Sequence, residues 1–191
     1  MSKIILLNGA SSSGKTSLAR AIQHKSAEPW LRLGVDTFVD MMPDPYLPFG
    51  AKANEGFRFI PGENAQGPTM AIETGTWGRQ VFDGLPLVAG LLADQGNNVI
   101  IDEVLLSEET LQGYLKALAA HTVYFVGVFC DLPTLQEREI LRRDRAIGLS
   151  NDQANRVHPQ GRTYDIMVDT TTQSPFALAK IILDLVHTPF T

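Results

Sequence analysis

Residues Gly9 to Thr16 are the part of the sequence whose types and spacing most clearly predict a chemistry. They fit the pattern G-x-x-x-x-G-K-[ST] at every position, which is typical of loops that bind the phosphates of a nucleotide. Glycines let such a loop turn tightly enough for successive backbone N–H groups to point at phosphate oxygens. We therefore expect the nucleotide to be bound by the residues Gly9, Ala10, Ser11, Ser12, Ser13, Gly14, Lys15, Thr16 and Ser17.

Three side chains of this region predict a nucleotide and metal site. Lys15 supplies a positive charge for the β- and γ-phosphates of ATP, and the Thr16 hydroxyl is placed to bind Mg²⁺. Asp102 closes an apolar run later in the chain, where phosphate-loop proteins carry the carboxylate that holds Mg²⁺, often through water. An aspartate there could instead cap a helix or turn. We favour the metal role, and so expect ATP and Mg²⁺ as cofactors, with Thr16 and Asp102 as metal ligands.

Two carboxylates, Asp36 and Glu103, are candidates for the general base. Transfer of a phosphoryl group to a hydroxyl needs a carboxylate beside the acceptor oxygen, which orients that oxygen and takes its proton. Asp36 ends the second predicted strand, beside the acceptor pocket in small-molecule kinases of this type, and Glu103 follows the third. Asp36 would also serve as the N-cap of a helix, and the two roles are compatible. The pattern alone divides the base role evenly between the two carboxylates.

Arg138, Arg142 and Arg145 lie at positions i, i+4 and i+7 and would share one face of a helix. We interpret residues 137–150 as a lid whose arginines close over the triphosphate and neutralise the charge that develops during transfer. An arginine in this role contributes on the order of 10³–10⁵ in rate. The alternative is a solvated helix with Glu–Arg pairs, because acidic residues alternate with the arginines.

These candidate residues need a scaffold that brings distant parts of the chain together. Helical patterns separate five apolar runs that predict strands, at Ile4–Leu7, Trp30–Val35, Asn98–Asp102, Thr122–Cys130 and Tyr164–Asp169. This alternation predicts right-handed crossovers and a parallel sheet with helices on both faces, an α/β fold of three α/β/α layers. Ser107 and Ser174 are typical helix N-caps. Ligands should bind at the carboxyl ends of the strands, where the phosphate loop, Asp36 and Asp102 lie.

Residues 43–68 form the predicted acceptor-binding insertion. They are rich in proline and glycine, and a loop of this length in a compact domain is usually functional or mobile. Residues 57–60 are interpreted as part of a small hairpin, and the aromatic and methionine side chains nearby favour an apolar acceptor pocket. Residues 69–95 are predicted to be mostly helical, with an interruption or kink near Gly84 and Pro86.

Composition excludes several classes of protein. A chain of 191 residues, 44% of them hydrophobic, predicts a single globular domain over residues 1–191. No apolar run approaches the roughly 20 residues of a spanning helix, and the strand at the start leaves no room for a signal peptide. The single cysteine fits a reducing cytosol, and the net charge of −5 weighs against coating nucleic acid. We expect a cytoplasmic protein with no nucleic-acid or membrane partner; its oligomeric state stays open, a homo-oligomer included.

Gly34–Asp36, Tyr164–Thr171 and other runs spread over nearly the whole chain resemble the sequence of the chloramphenicol 3-O-phosphotransferase family. Gly34–Asp36 and Tyr164–Thr171 are much more specific signals of this resemblance than the phosphate loop alone. The sequence departs from the family pattern mainly in residues 43–67, which carry more prolines than that pattern. Thr16 stands in place of a serine, a mild change that keeps the hydroxyl. The matching runs are Ile5–Gly9, Ser11–Thr16, Glu28–Leu31, Leu33–Thr37, Met42–Pro43, Ile100–Val104, Val126–Val128, Cys130–Asp131, Glu137–Glu139, Asp144–Arg145, Gly148, Val157–His158 and Tyr164–Thr171.

The resemblance implies an activity and several site residues. It implies an ATP- and Mg²⁺-dependent kinase that moves the γ-phosphate of ATP to a hydroxyl of a small molecule, with the 3-hydroxyl of chloramphenicol or of a similar antibiotic as the first candidate. It implies that Asp36 is the base. It also implies that residues 138–145 form part of a lid that carries arginines. It further implies a P-loop NTPase sheet in the adenylate-kinase-like order 2-3-1-4-5, and an adenine pocket near residues 169–172 that includes Asp169 and Thr170.

Two other functions remain open. One is a kinase of another acceptor, such as a nucleoside, a shikimate-like metabolite or a different antibiotic. An acidic acceptor normally requires several basic residues, and only Lys52, Arg58 and Arg79 lie in or near the insertion, which favours an uncharged acceptor. The other is a nucleotide-dependent switch or binding module, which would hydrolyse ATP slowly without an acceptor and change conformation with the γ-phosphate.

Overall fold

The computed structural model describes residues 2–142 and 146–187. Its strands are β1 (Lys3–Asn8), β2 (Trp30–Gly34), β3 (Phe57–Asn64), β4 (Gly67–Thr74), β5 (Asn98–Glu103), β6 (Thr122–Phe129) and β7 (Ile166–Asp169). Its α-helices are α1 (Lys15–Lys25), α2 (Val35–Val39), α3 (Thr76–Asp94), α4 (Glu108–Ala117), α5 (Leu132–Leu141), α6 (Leu149–Gln153) and α7 (Pro175–His187). A short 3₁₀ helix covers Asp44–Tyr46.

Five of these strands form one parallel sheet in the order β2-β5-β1-β6-β7. Counted among the parallel strands alone, this order is 2-3-1-4-5, so the predicted topology is confirmed. The strand β1, which feeds the phosphate loop, lies at the centre with β5 and β6 on either side. The carboxyl ends of β1, β2 and β5 therefore meet at one edge of the sheet, which brings the candidate residues together.

Helices cover both faces of the sheet because consecutive strand residues point to opposite faces. On one face, side chains such as Ile5 and Ile100 pack against α1 and α7. On the other face, Leu6 and Ile101 pack against α3 and α4, and Phe38 of α2 joins the same cluster. The predicted three-layer α/β/α architecture is confirmed.

The segment before α3 differs from the prediction. Residues 69–74, predicted to be helical, form most of β4, which pairs antiparallel with β3 over its full length. Two tertiary contacts stabilise this hairpin: the Phe57 ring packs at 4.9 Å from the ring of Phe82 on α3, and the Met70 N–H donates to the Gly148 carbonyl. The helix α3 then runs without interruption past Gly84 and contains the buried Pro86, so the predicted interruption is wrong.

Two helices have different bounds from those predicted. The helix α2 begins at Val35, one residue before Asp36, which therefore lies in the first turn and is not the N-cap. The helix α5 ends at Leu141, and the backbone of Arg142 is extended. Arg138 and Arg142 consequently do not share one helical face, and Arg145 lies outside the described residues.

A helix that spans a membrane needs about 20 predominantly apolar residues. No helix within residues 2–142 and 146–187 is long and apolar enough to cross a bilayer.

Candidate active site

The loop between β1 and α1 follows the tight path that its motif predicts. Gly14 has a φ of 87°, in the left-handed region that glycine adopts without steric cost. Ser12 also has a positive φ, of 63°. A Cβ atom at Gly9 would lie 2.5 Å from the carbonyl oxygen of Val128, so the loop can pass this close to β6 only because residue 9 is glycine.

The residues predicted to bind phosphate and metal lie in direct contact. The Lys15 Nζ donates to the carbonyl oxygens of Gly9 and Ala10, both at 2.9 Å, and lies 3.8 Å from the carboxylate of Asp102. The Thr16 Oγ1 donates to the Asp102 Oδ2 at 2.6 Å, although the two residues are 86 positions apart. The fold therefore brings the predicted metal ligands to one point.

The donor atoms at this point fit Mg²⁺. The hydroxyl of Thr16 and the carboxylate of Asp102 are hard oxygen ligands, which Mg²⁺ prefers. The described part of the chain contains no cluster of three or more His, Cys, Asp or Glu side chains that could hold a metal ion. Mg²⁺ does not need such a cluster, because it is usually bound through one or two carboxylates together with substrate phosphates and water.

Two hydroxyls of the predicted phosphate loop are buried. The Oγ atoms of Ser12 and Ser13 have no hydrogen-bond partner among the described residues. Buried polar atoms without a partner are uncommon in folded proteins and call for an explanation. Ser12 lines the pocket of the loop, and an oxygen of a phosphate bound there would accept a hydrogen bond from its hydroxyl.

One pocket brings most of the predicted site residues together. Asp36 lies at this pocket in the first turn of α2, together with Lys15 and Thr16. Gly9, Ala10 and Ser13 belong to the loop but do not line it. The lining residues predicted from the sequence are Ser11, Ser12, Gly14, Lys15, Thr16, Ser17, Asp36, Asp102 and Arg142, and the others are Val35, Ile72, Val104, Leu149 and Gln153.

Glu103, the other candidate base, does not line this pocket. Because it follows Asp102 in a strand, its side chain points to the opposite face of the sheet, where the hydroxyl of Tyr114 on α4 is its hydrogen-bonding partner. The pKa of Glu103 is raised to about 7, mainly by burial and also by the neighbouring charge of Asp102, while the charge of Lys15 opposes the shift. Of the two carboxylates that the sequence pattern made equal candidates for the base, only Asp36 lines the pocket of the phosphate loop.

Arg138 and Thr170 meet behind the phosphate loop. The Arg138 Nη2 donates to the Thr170 carbonyl oxygen at 2.7 Å, and the Thr170 hydroxyl donates to the Ser13 carbonyl oxygen at 2.7 Å. Asp169 accepts the Thr171 N–H at 2.8 Å in a local turn. None of Arg138, Asp169 and Thr170 lines the pocket of the phosphate loop. Their predicted roles as catalytic and nucleotide-binding residues stay predictions.

Among the contributors to the site that were not found from the sequence are Gln153, Ile72 and Glu139. The Gln153 Oε1 on α6 accepts the backbone N–H of Ser11 at 2.6 Å. Ile72 of β4 lines the pocket. The buried Glu139 accepts two backbone N–H groups at the start of α6, at 2.7 and 2.8 Å, and so fixes α6 to α5. The Gln153 contact spans 142 positions, and the Glu139 contacts span 9 and 11 positions between two helices. No pattern within one helix or strand signals any of them.

Comparisons with known proteins identify similar sequences and folds. A family model described as chloramphenicol phosphotransferase-like protein matches residues 2–187. Two Mycobacterium tuberculosis proteins named as candidate O-phosphotransferases are 32% identical over 179 residues, which cover 93% of this chain and 79% of theirs. The APS kinase of Mycobacterium tuberculosis, solved with AMPPNP and APS, has a similar fold at a TM-score of 0.66 and 19% identity, covering 98% of both chains. A sugar kinase from Janibacter has a TM-score of 0.65 at 17% identity, covering 96% of this chain and 94% of its own.

Proposed function

The chain belongs to the chloramphenicol phosphotransferase-like family, and we propose that it transfers the γ-phosphoryl group of ATP, bound with Mg²⁺, to a hydroxyl of an uncharged small molecule. One observation carries the proposal. Asp36 lines the same pocket as Lys15, Thr16 and Asp102. Phosphoryl transfer depends on positioning and charge stabilisation, and this pocket combines a phosphate-binding loop with a carboxylate for the acceptor.

Each residue has a defined task in the proposed reaction. The amides of the phosphate loop bind the phosphates, and Lys15 exchanges its bonds to backbone carbonyls for bonds to phosphate oxygens. Thr16 and Asp102 hold Mg²⁺, which when bound neutralises charge on the β- and γ-phosphates. Asp36 orients the acceptor hydroxyl and takes its proton. The acceptor oxygen then bonds to the γ-phosphorus, the bond from that phosphorus to the β–γ bridging oxygen breaks, and ADP leaves.

Apolar surface around the pocket supports an acceptor with an apolar body. Val35 and Ile72 line the phosphate-loop pocket together with Asp36. A separate pocket has a volume of about 380 Å³. It is lined by residues that follow α2, including part of the predicted insertion, and by residues of α3. Its lining residues are Met42, Pro43, Tyr46, Trp77, Gln80 and Val81.

The basic residues of the insertion support an uncharged acceptor. Arg58 is paired with Glu73 across the β3–β4 hairpin, with donor–acceptor distances of 2.9 and 2.8 Å. Lys52 donates to the hydroxyl of Tyr46 at 3.3 Å. Two of the three basic side chains that the sequence offered to an acidic acceptor therefore already have partners within the protein.

The test is incubation of the protein with chloramphenicol, ATP and Mg²⁺, followed by mass spectrometry of the antibiotic. Asp36→Asn should bind ATP normally and lose transfer by roughly 10²–10⁴. Asp40→Asn is the matched control, since Asp40 is exposed, directly follows the same helix and does not line the pocket; it should keep wild-type turnover. Wild-type turnover in Asp36→Asn would refute the assignment of the base.

The same assay separates the two alternatives. If chloramphenicol is unchanged but another alcohol stimulates ADP formation in a manner that depends on Asp36, the kinase proposal stands and the acceptor is corrected. If ADP forms slowly, no alcohol stimulates it and Asp36→Asn has no effect, the protein is a nucleotide-dependent switch and the kinase proposal fails.

A further inference from the structure

A third cavity, of about 650 Å³, lies between α4 and residues 159–163. It shares no lining residue with the pocket of the phosphate loop. Its volume falls within the range of roughly 300–1,000 Å³ that is typical of small-molecule sites. Its apolar wall is formed by residues of α4 and β6 and by the segment after β5, namely Leu106, Leu111, Leu115 and Phe125.

Arg162 makes this cavity unusual. Arg162 is one of the residues that line the cavity, and its side chain is only 3% exposed. The Nη1 atom donates to the carbonyl oxygens of Leu105 and Val157, at 2.7 and 3.2 Å. The Nε atom is buried and has no hydrogen-bond partner within the described part of the chain. A buried guanidinium loses its hydration, so each unpaired donor has a cost in free energy.

The charge of Arg162 is only weakly compensated. Its Nη2 lies 3.7 Å from the carboxylate of Glu108, a side chain that is 65% exposed. Such a distance is too long for a strong hydrogen bond, and an ion pair with an exposed partner contributes little. An anion entering the cavity would therefore replace a weak, solvated partner with a buried one.

We propose that this cavity is a second ligand site, which binds a small amphiphilic anion such as an aromatic carboxylate. The carboxylate takes the place of the Glu108 carboxylate beside the Nη2 of Arg162 and accepts a hydrogen bond from that atom, and Glu108 moves to solvent. The apolar body lies against Leu111, Leu115 and Phe125. The site does not depend on the kinase reaction proposed above, because the two pockets have no lining residue in common.

The test uses 1-naphthoate as the probe and follows the backbone amide signals of the protein by NMR. Saturating ADP and Mg²⁺ are present throughout, so that the probe does not enter the nucleotide site. Saturable shifts are expected at residues of α4, at residue 125 and at residues 159–163. The neutral analogue 1-naphthamide should bind about tenfold more weakly, because it lacks the charge that pairs with Arg162.

Two variants and one control locate the site. Arg162→Lys should weaken 1-naphthoate about tenfold, since lysine keeps the charge but loses the fork of donors. Leu115→Glu should weaken it by at least about tenfold through repulsion, and it tests the proposal if the Arg162 variant does not fold. Leu91→Glu, the same change at an exposed leucine of α3 that does not line the cavity, should bind as the wild type does. Absence of saturable shifts, equal affinity for the two probes, or unchanged binding in Leu115→Glu would overturn the proposal.

Discussion

Replacing Arg138 by alanine separates a structural from a catalytic role for this arginine. The change removes the bond from Nη2 to the Thr170 carbonyl oxygen, at 2.7 Å, and a weaker one from Nη1 to the Thr170 hydroxyl, at 3.3 Å. Hydrogen bonds that involve a charged group contribute about 1.5–3 kcal/mol, and the side chain is half-buried, so we expect the free energy of unfolding to fall by about 2 kcal/mol.

The same substitution should weaken ATP binding more than it slows transfer. Thr170 holds the carbonyl of Ser13 in the phosphate loop, so the loss of Arg138 loosens the loop. A change that affects the ground state and the transition state equally raises KM and leaves kcat unchanged. We expect KM for ATP to rise by about tenfold and kcat to change by less than about threefold.

Arg142→Ala is the comparison, because Arg142 lines the pocket that contains Asp36. If Arg142 neutralises the transferring group, kcat should fall by roughly 10³. Urea denaturation gives the free energy of unfolding, and initial rates at varied ATP give kcat and KM. The reasoning is refuted if Arg138→Ala keeps wild-type stability and KM but loses kcat by roughly 10³, because Arg138 would then be the transition-state arginine.

Two further predictions concern the metal and a buried acid. Thr16→Val removes the hydroxyl that contacts Asp102. It should raise the Mg²⁺ concentration needed for half-maximal rate by about 10–100-fold. Thr16→Ser keeps the hydroxyl and should need the same Mg²⁺ concentration as the wild type; equal Mg²⁺ requirements in all three proteins would exclude the metal role. The pKa of Glu103 is raised, mainly by burial, from 4.5 to about 7. Between pH 4.5 and about 7 the folded protein therefore binds a proton that the unfolded chain has released. Its free energy of unfolding should decrease as the pH rises through this range and then level off. Glu103→Gln should abolish that decrease and be more stable than wild type at pH 8, by on the order of 3 kcal/mol; an unchanged pH profile in denaturant titrations would contradict this.

Features that depend on neighbouring residues could be predicted from the sequence. The phosphate loop is contiguous, and its glycines and Lys15 define both its path and its ligand class. The strands followed from unbroken apolar runs, and Ser107 was correctly predicted as an N-cap, since its side chain accepts the Thr110 N–H at 3.1 Å. The sheet order came from the family resemblance and is confirmed by the strand pairing.

Features that depend on distant residues were predicted poorly. Residues 69–74 form a strand because β3 is available to pair with them, and a helical pattern within one segment contains no information about such a partner. The arginine pattern predicted a continuous helical face, but α5 ends at Leu141. Arg138 instead bonds to Thr170, which a spacing rule within one helix cannot reveal.

The sequence by itself determined that this chain has a phosphate-binding loop at the end of a central strand, because that property needs only adjacent residues. Only the tertiary structure decided which carboxylate shares the pocket with the loop. From the sequence pattern, Asp36 and Glu103 were equally good candidates for the base, because both follow predicted strands. Side chains alternate along β5, so Glu103 points towards Tyr114 on the other face of the sheet. Packing of distant segments, which sums many weak contacts over the whole chain, therefore leaves Asp36 as the carboxylate proposed to be the base.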